Sequence, residues 1–197
     1  MTIRIGDRAP AFKLPAKPGE EIDVGALLGK EKVVLLFIPL AFSSVCTAEM
    51  CHFRDNWSQW SGLGAKVFAL SVDSPFVTDR FRTSENIPFP VLSDFNKTVS
   101  ASYGALHEEL LGLRGVSKRS AFVIGRDGKV AYASVSDDPR QQVDFAAIRD
   151  AVAKLDPADQ ALWTGSGKPK TEAISAVLGW NVSAVERDNA LAPGGEQ

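Results

Sequence analysis

Lys32-Val-Val-Leu-Leu-Phe-Ile-Pro39 encloses an unbroken run of β-forming apolar residues, Val33 to Ile38. The lack of polar alternation is the pattern of a central strand covered on both faces. A second run of the same character, Lys66-Val-Phe-Ala-Leu-Ser-Val-Asp73, lies far enough downstream for a helical crossover. The two therefore read as parallel strands of a βαβ unit, with its helix over about Cys46 to Trp60. Pro75, which a first helical turn tolerates, and the apolar Phe76, Val77 and Phe81 predict a second helix, ended by Pro88 and Pro90.

Further along, Ser120-Ala-Phe-Val-Ile-Gly125 and Lys129-Val-Ala-Tyr-Ala-Ser-Val135 flank Arg126-Asp127-Gly128. The Asp-Gly pair supplies the positive φ of a tight hairpin. Val143, Phe145, Ile148, Val152 and Leu155 then recur mostly at three- and four-residue spacing, which predicts an amphipathic helix packed on the sheet. This order of elements gives the α/β class: a thioredoxin-like fold with a mixed central sheet flanked by helices over residues 1–156. Residues 157–197 read as a C-terminal extension, with a loop at Gly165 and a short helix from Thr171 to Trp180. Gly165-Ser-Gly-Lys168 is not a phosphate loop, because Leu162 and Pro169 stand where that motif needs Gly and Ser or Thr.

Composition restricts the function classes. A net charge of -2 in 197 residues lacks the basic surplus of a nucleic-acid footprint or an anionic-membrane patch. A small or neutral partner is expected. The apolar run Val33 to Phe42 is too short to span a bilayer, and the first residues lack the apolar segment of a secretory signal, so a cytoplasmic location is expected. In that compartment thiols stay reduced, and a pair of cysteines points to redox or metal chemistry. The sequons at Asn56, Asn96 and Asn181 are then chance matches.

The two cysteines, Cys46 and Cys51, fall just after the first buried strand, at the mouth of the crossover helix. The carboxyl end of a parallel strand is where α/β proteins bind ligands, and the following helix presents unpaired amides and the positive end of its dipole there. A thiol so placed is biased toward thiolate, the nucleophilic form, which makes Cys46 the nucleophile candidate.

The stretch Pro39-Leu-Ala-Phe-Ser43-Ser-Val-Cys46 resembles the peroxiredoxin signature Pro-xxx-Thr/Ser-xx-Cys, filled here by Pro39, Ser43 and Cys46. The resemblance extends from Gly6-Asp7-x-Ala9-Pro10-x-Phe12 through Leu70 to Ser74, Leu92 to Asn96 and Tyr103-Gly104, to about Leu155. It implies a thiol-dependent peroxidase acting on hydrogen peroxide and organic hydroperoxides, with Cys46 as the peroxidatic cysteine and Pro39 shielding the site. Ser43 would hydrogen-bond thiolate and peroxide, while amides near Val45 and Cys46 stabilise charge growing on the peroxide oxygens. Arg119, at the start of a late strand, matches the family's arginine, which favours the thiolate and orients the peroxide. Glu49 matches a frequent family position and would hold that arginine.

Cys51 stands five residues after Cys46, the spacing of the peroxiredoxin Q or bacterioferritin-comigratory group, although its surroundings are more similar to the alkyl hydroperoxide reductase E group. The resemblance implies that Cys51 resolves oxidised Cys46 as an intramolecular disulfide, in the manner of an atypical 2-Cys enzyme. An i, i+5 pair on an ideal helix is about 9 Å apart between Cα atoms, and a disulfide needs about 7 Å or less. The first turns must therefore unwind. The resemblance further implies a thioredoxin-like dithiol reductant, no cofactor, and a monomer or homodimer.

The same residues admit other readings. A thiol-disulfide oxidoreductase uses Cys-x-x-Cys and usually a proline before the late strand, whereas four residues separate these cysteines and no proline occurs from 116 to 124. A non-enzymatic redox sensor would share the oxidised cysteine and differ only in turnover. Cys51 is alternatively a buried small hydrophobe, and Arg119 a surface cation. A metal site of Cys46, Cys51, His52 and His107 fits no zinc spacing. Both histidines read as solvated, and Trp57 and Trp60 as packing residues.

Overall fold

The computed structural model describes residues 3–155, 171, 175 and 182–185. The chain divides into two units, Met1–Leu155 and Asp156–Gln197. The loop expected at Gly165 and most of the helix expected from Thr171 to Trp180 lie outside the described residues.

The first apolar run forms β3 (Lys32–Phe37), every residue of which is buried. It pairs in parallel with β4 (Ala65–Ser71), which pairs in parallel with β5 (Val91–Ser93). On its other side β3 runs antiparallel to β8 (Arg119–Ile124), itself antiparallel to β9 (Val130–Ser136). The sheet order is thus β5-β4-β3-β8-β9, the mixed α/β arrangement of the thioredoxin-like class. Alternation along β3 explains why both faces are covered. Val34, Leu36 and Ile38 join a cluster with Met50, Phe53, Phe81, Ile148 and Val152. Val33, Leu35 and Phe37 join Leu14, Val99, Tyr103 and Phe122 on the opposite face.

The crossover helix is shorter than expected. It runs as α1 (Ser44–Asp55), breaks at Asn56 (φ -108°, ψ 21°) and resumes as the five-residue α2 (Trp57–Ser61). Asn56 ends α1 because its side-chain amide donates to His52 O at 2.9 Å, competing with helix continuation. The break lets both indoles pack, Trp60 against Phe53 and Trp57 against Phe89.

The second helix, α3 (Pro75–Ser84), begins with its proline in the first turn. It ends before Pro88, where Asn86 takes φ 53°. Ile87 N donates to Arg82 O at 2.9 Å, which closes the C-terminus in the Schellman manner. A short α4 (Thr98–Ser102) follows β5. The β8–β9 turn uses Gly128 at φ 76°, as expected. In α5 (Phe145–Lys154), Asp144 caps the N-terminus by accepting from Ala147 N at 2.9 Å.

Two hairpins were not foreseen: β1 (Lys13–Lys17) with β2 (Glu20–Asp23), and β6 (Leu106–Leu110) with β7 (Leu113–Ser117). Among the described residues no helix is long and apolar enough to cross a membrane.

Candidate active site

The site is built where β3 stops. Pro39 is buried directly after the strand, and the turn from Leu40 to Ser43 delivers the chain into α1. That turn is fastened from the neighbouring strand end: Ala41 N donates to Asp73 Oδ2 at 2.7 Å. Asp73 is itself fixed by Ser71, whose hydroxyl donates to the same oxygen, and by Ser93, whose hydroxyl donates to Asp73 O at 2.6 Å. Phe42 pays for the tight turn with φ 63°, and its ring meets Phe81 edge-on at 5.0 Å.

Ser43 occupies the N-cap position of α1, and Cys46 the third helical position. The first intrahelical bond runs from Thr47 N to Ser43 O at 2.9 Å. The amides of Ser44, Val45 and Cys46 therefore belong to the free end of the helix, beside the sulfur. Ser43 Oγ does not cap the helix. It donates back to Leu40 O at 3.0 Å and is exposed, rather than meeting the Cys46 sulfur.

Cys46 Sγ is buried and faces Arg119, the first residue of β8. Arg119 Nη2 donates to the sulfur at 3.3 Å and Nη1 to Glu49 Oε2 at 3.1 Å. Pro139 O accepts twice from the same guanidinium, from Nε at 3.1 Å and Nη2 at 2.8 Å. Glu49 Oε2 also accepts from Val143 N at 3.2 Å, while Oε1 is buried without a hydrogen-bond partner among the described residues. Burial pushes the Glu49 carboxyl up from its ordinary range, against the opposing pull of Arg119. Arg119 is thus a buried cation with its planar fork filled on three sides.

Cys51 faces elsewhere. Its half-buried sulfur approaches Glu85 Oε2 at 3.8 Å, at the C-terminus of α3. Burial pushes the Cys51 thiol up and Glu85 adds to the shift, while the positive charge of Arg54 opposes it. Both cysteines are free thiols.

Among the described residues no three His, Cys, Asp or Glu side chains gather as a metal ion requires. His52 stacks on Phe145 with centroids 3.8 Å apart. His107 departs from the solvated reading: its Nε2 is buried without a hydrogen-bond partner among the described residues, and burial lowers its pKa.

The sequence singled out Cys46, Glu49 and Arg119, and these meet around one sulfur. It did not find the groups that hold them or that fasten the turn before α1. Asp73, Pro139 and Val143 act from distant segments, two of them through the backbone, and only the acid after a buried strand at Asp73 offered a signal.

A thiol at a helix N-terminus, hydrogen-bonded to a buried guanidinium and flanked by free amides, is equipped to attack an electrophilic oxygen and to stabilise the departing one. The AhpC/TSA family model matches residues 5–133. Alkyl hydroperoxide reductase E of Mycobacterium tuberculosis is 30% identical over 155 residues, covering 78% of this chain and 98% of that protein. A chloroplastic 2-cysteine peroxiredoxin of Chattonella marina is 34% identical over 147 residues, or 70% and 73% of the two chains. The crystal structure of peroxidoxin BcpB from Mycobacterium tuberculosis superposes with a TM-score of 0.66 at 31% identity, covering 82% of this chain and 99% of that one. With family model, relatives and fold in agreement, the chain belongs to the AhpC/TSA family and is a peroxiredoxin, a thiol-dependent peroxidase.

Proposed function

We propose that this peroxidase works through a two-cysteine cycle within one chain, with Cys46 peroxidatic and Cys51 resolving. The observation that carries the first half is the 3.3 Å hydrogen bond from Arg119 Nη2 to Cys46 Sγ, because it sets a fixed positive charge beside the attacking atom. The Cys46 thiolate attacks the distal oxygen of hydrogen peroxide or an organic hydroperoxide. The O–O bond breaks, the departing alkoxide or hydroxide takes a proton, and Cys46 becomes a sulfenic acid. Amides at Val45 and Cys46 and the Arg119 guanidinium stabilise the charge that develops on oxygen.

In this reading Ser43 turns from Leu40 O toward the bound peroxide, Pro39 screens the sulfur from water, and Glu49 holds Arg119 in register. Cys51 then attacks the oxidised sulfur, water leaves, and a Cys46–Cys51 disulfide forms after the first turns of α1 unwind. A thioredoxin-like dithiol returns both thiols. The catalytic domain is residues 1–156, with residues 157–197 an extension. It works in the cytoplasm as a monomer or homodimer.

Cys51→Ser tests the second half. The variant is expected to oxidise Cys46 once at the wild-type rate, then to lose efficient thioredoxin-driven turnover and accumulate overoxidised Cys46. Undiminished steady-state turnover in that variant removes Cys51 from the cycle.

A further inference from the structure

Resolution needs a second thiolate, and the position of Cys51 works against forming one. It lies past the first turn of α1, away from the helix N-terminal amides, and Arg119 is engaged with Cys46. The carboxylate that approaches the Cys51 sulfur, Glu85 Oε2 at 3.8 Å, comes from a different helix.

Its placement is built rather than incidental. Glu85 is the C-cap of α3, and the turn that follows is fixed by Asn86 at φ 53° and by the bond from Ile87 N to Arg82 O. A carboxylate at a helix C-terminus meets the negative end of the dipole, a location that stability alone does not favour. Arg54, three residues after Cys51, donates from Nη1 to Glu85 O at 2.7 Å. That bond ties the acid's backbone to the part of α1 that carries the thiol. Among the described residues the charged groups that act on Cys51 are Arg54 and Asp55 from α1 and Glu85 from α3.

We propose that Glu85 is the general base of the resolving step, taking the proton from Cys51 as its sulfur attacks Cys46. The inference rests on Cys51 being the resolving thiol. In the step, the Cys51 S–H bond breaks and its proton passes to Glu85 Oε2. The sulfur electron pair forms the S–S bond, and the S–O bond of the Cys46 sulfenic acid breaks. The departing hydroxide takes the proton back from Glu85 and leaves as water. Cys51 sulfur is oxidised and Cys46 sulfur reduced, so no outside oxidant or reductant is required. Arg54 stabilises the transient Cys51 thiolate while the helix opens.

The test is stopped-flow oxidation of the full chain by one equivalent of hydrogen peroxide. Sulfenic acid formation and disulfide formation are followed as separate phases across pH 5 to about 9, a range chosen to bracket the ordinary titration of a thiol. Wild type, Glu85→Gln and Cys51→Ser are compared. Glu85→Gln keeps the backbone carbonyl that Arg54 uses, so the first phase is expected to stay unchanged. Its second phase is expected to fall about 10²-fold near pH 6, the lower end of what a positioned acid–base group contributes. The deficit closes as pH rises and hydroxide replaces the missing base.

A Glu85→Gln second phase within about twofold of wild type at every pH, a margin below 0.5 kcal/mol, overturns the proposal. So does a deficit that persists unchanged at alkaline pH, which marks a structural role. If the wild type forms no Cys46–Cys51 disulfide and Cys51→Ser turns over normally, the two-cysteine cycle itself fails, whatever Glu85→Gln does.

Discussion

Two thiols five residues apart on one helix sit in opposite electrostatic settings. Cys46 is fully buried against a buried guanidinium at the N-terminal end of α1, whereas Cys51 is half-buried against a carboxylate at the C-terminal end of α3. The difference teaches that one helix can hold a thiol against a cation in its first turn and, five residues on, a second thiol against an anion. It also separates the supports. Around Cys46 the segment between β9 and α5 holds both partners, the guanidinium through Pro139 O and Glu49 through Val143 N. Around Cys51 the acid is held by Arg54.

The largest effect belongs to the sulfur itself. Cys46→Ser is expected to abolish peroxide turnover while leaving the circular dichroism spectrum unchanged. Residual turnover carried by Cys51 alone breaks the contrast between the two settings.

Arg119→Met is next. Peroxide oxidation is expected to slow about 10²–10³-fold, the range for removing a preorganised charge-stabilising donor. Stability is expected to fall by about 3–5 kcal/mol at neutral pH because Glu49 is left buried and unpaired. The double variant Arg119→Met/Glu49→Gln removes that orphaned charge. Denaturant unfolding of it should recover much of the stability while stopped-flow shows no recovery of rate, which separates the two jobs of the arginine.

Glu49 supplies a smaller, pH-dependent effect. Because burial raises its pKa in the folded protein, its contribution is fully present below the unfolded value of about 4.3 and is lost as pH rises through the folded value. Relative to Glu49→Gln, wild-type unfolding free energy should decline as pH rises from about 4 toward neutrality. An increase over that window contradicts the stated balance between burial and Arg119.

The smallest effect concerns the segment that holds Arg119. Asp138 pairs with Arg140, whose side-chain and backbone donors lower the carboxyl to about 2. The stabilising contribution is present above the unfolded value of about 3.9 and vanishes as pH falls through the folded one. The pair is exposed, so salt screens it. Asp138→Ala should therefore change acid unfolding only slightly, and less in high salt.

How far the sequence could be read follows from where each instruction resides. The strands β3, β4, β8 and β9 were legible because their apolar runs are continuous or end in an Asp-Gly turn. The β6–β7 hairpin was not, since its turn places Leu111 at φ 54° before Gly112 at φ 77°, without the Asn or Asp that usually marks such a turn. The β1–β2 pair is short, carries charges at its exposed positions and buries only Leu14, so it carries little periodic signal. Asn56 divided the crossover helix through a local side-chain bond that apolar spacing does not encode.

At the site, side chains in a motif were legible and backbone partners were not. Pro139 contributes a carbonyl, which every residue carries, and Val143 an amide N–H, which every residue but proline carries. Glu85 lies 34 residues from Cys51 in the chain, and only the fold brings it close.

The most direct measurement is residue-resolved mass analysis of the reduced protein after a single equivalent of hydrogen peroxide, with a sulfenic-acid trap added to Cys51→Ser. The account predicts rapid, stoichiometric trapping at Cys46 in that variant and a Cys46–Cys51 disulfide in the wild type. A Cys46 that stays reduced while peroxide is consumed elsewhere, or is not consumed at all, contradicts it.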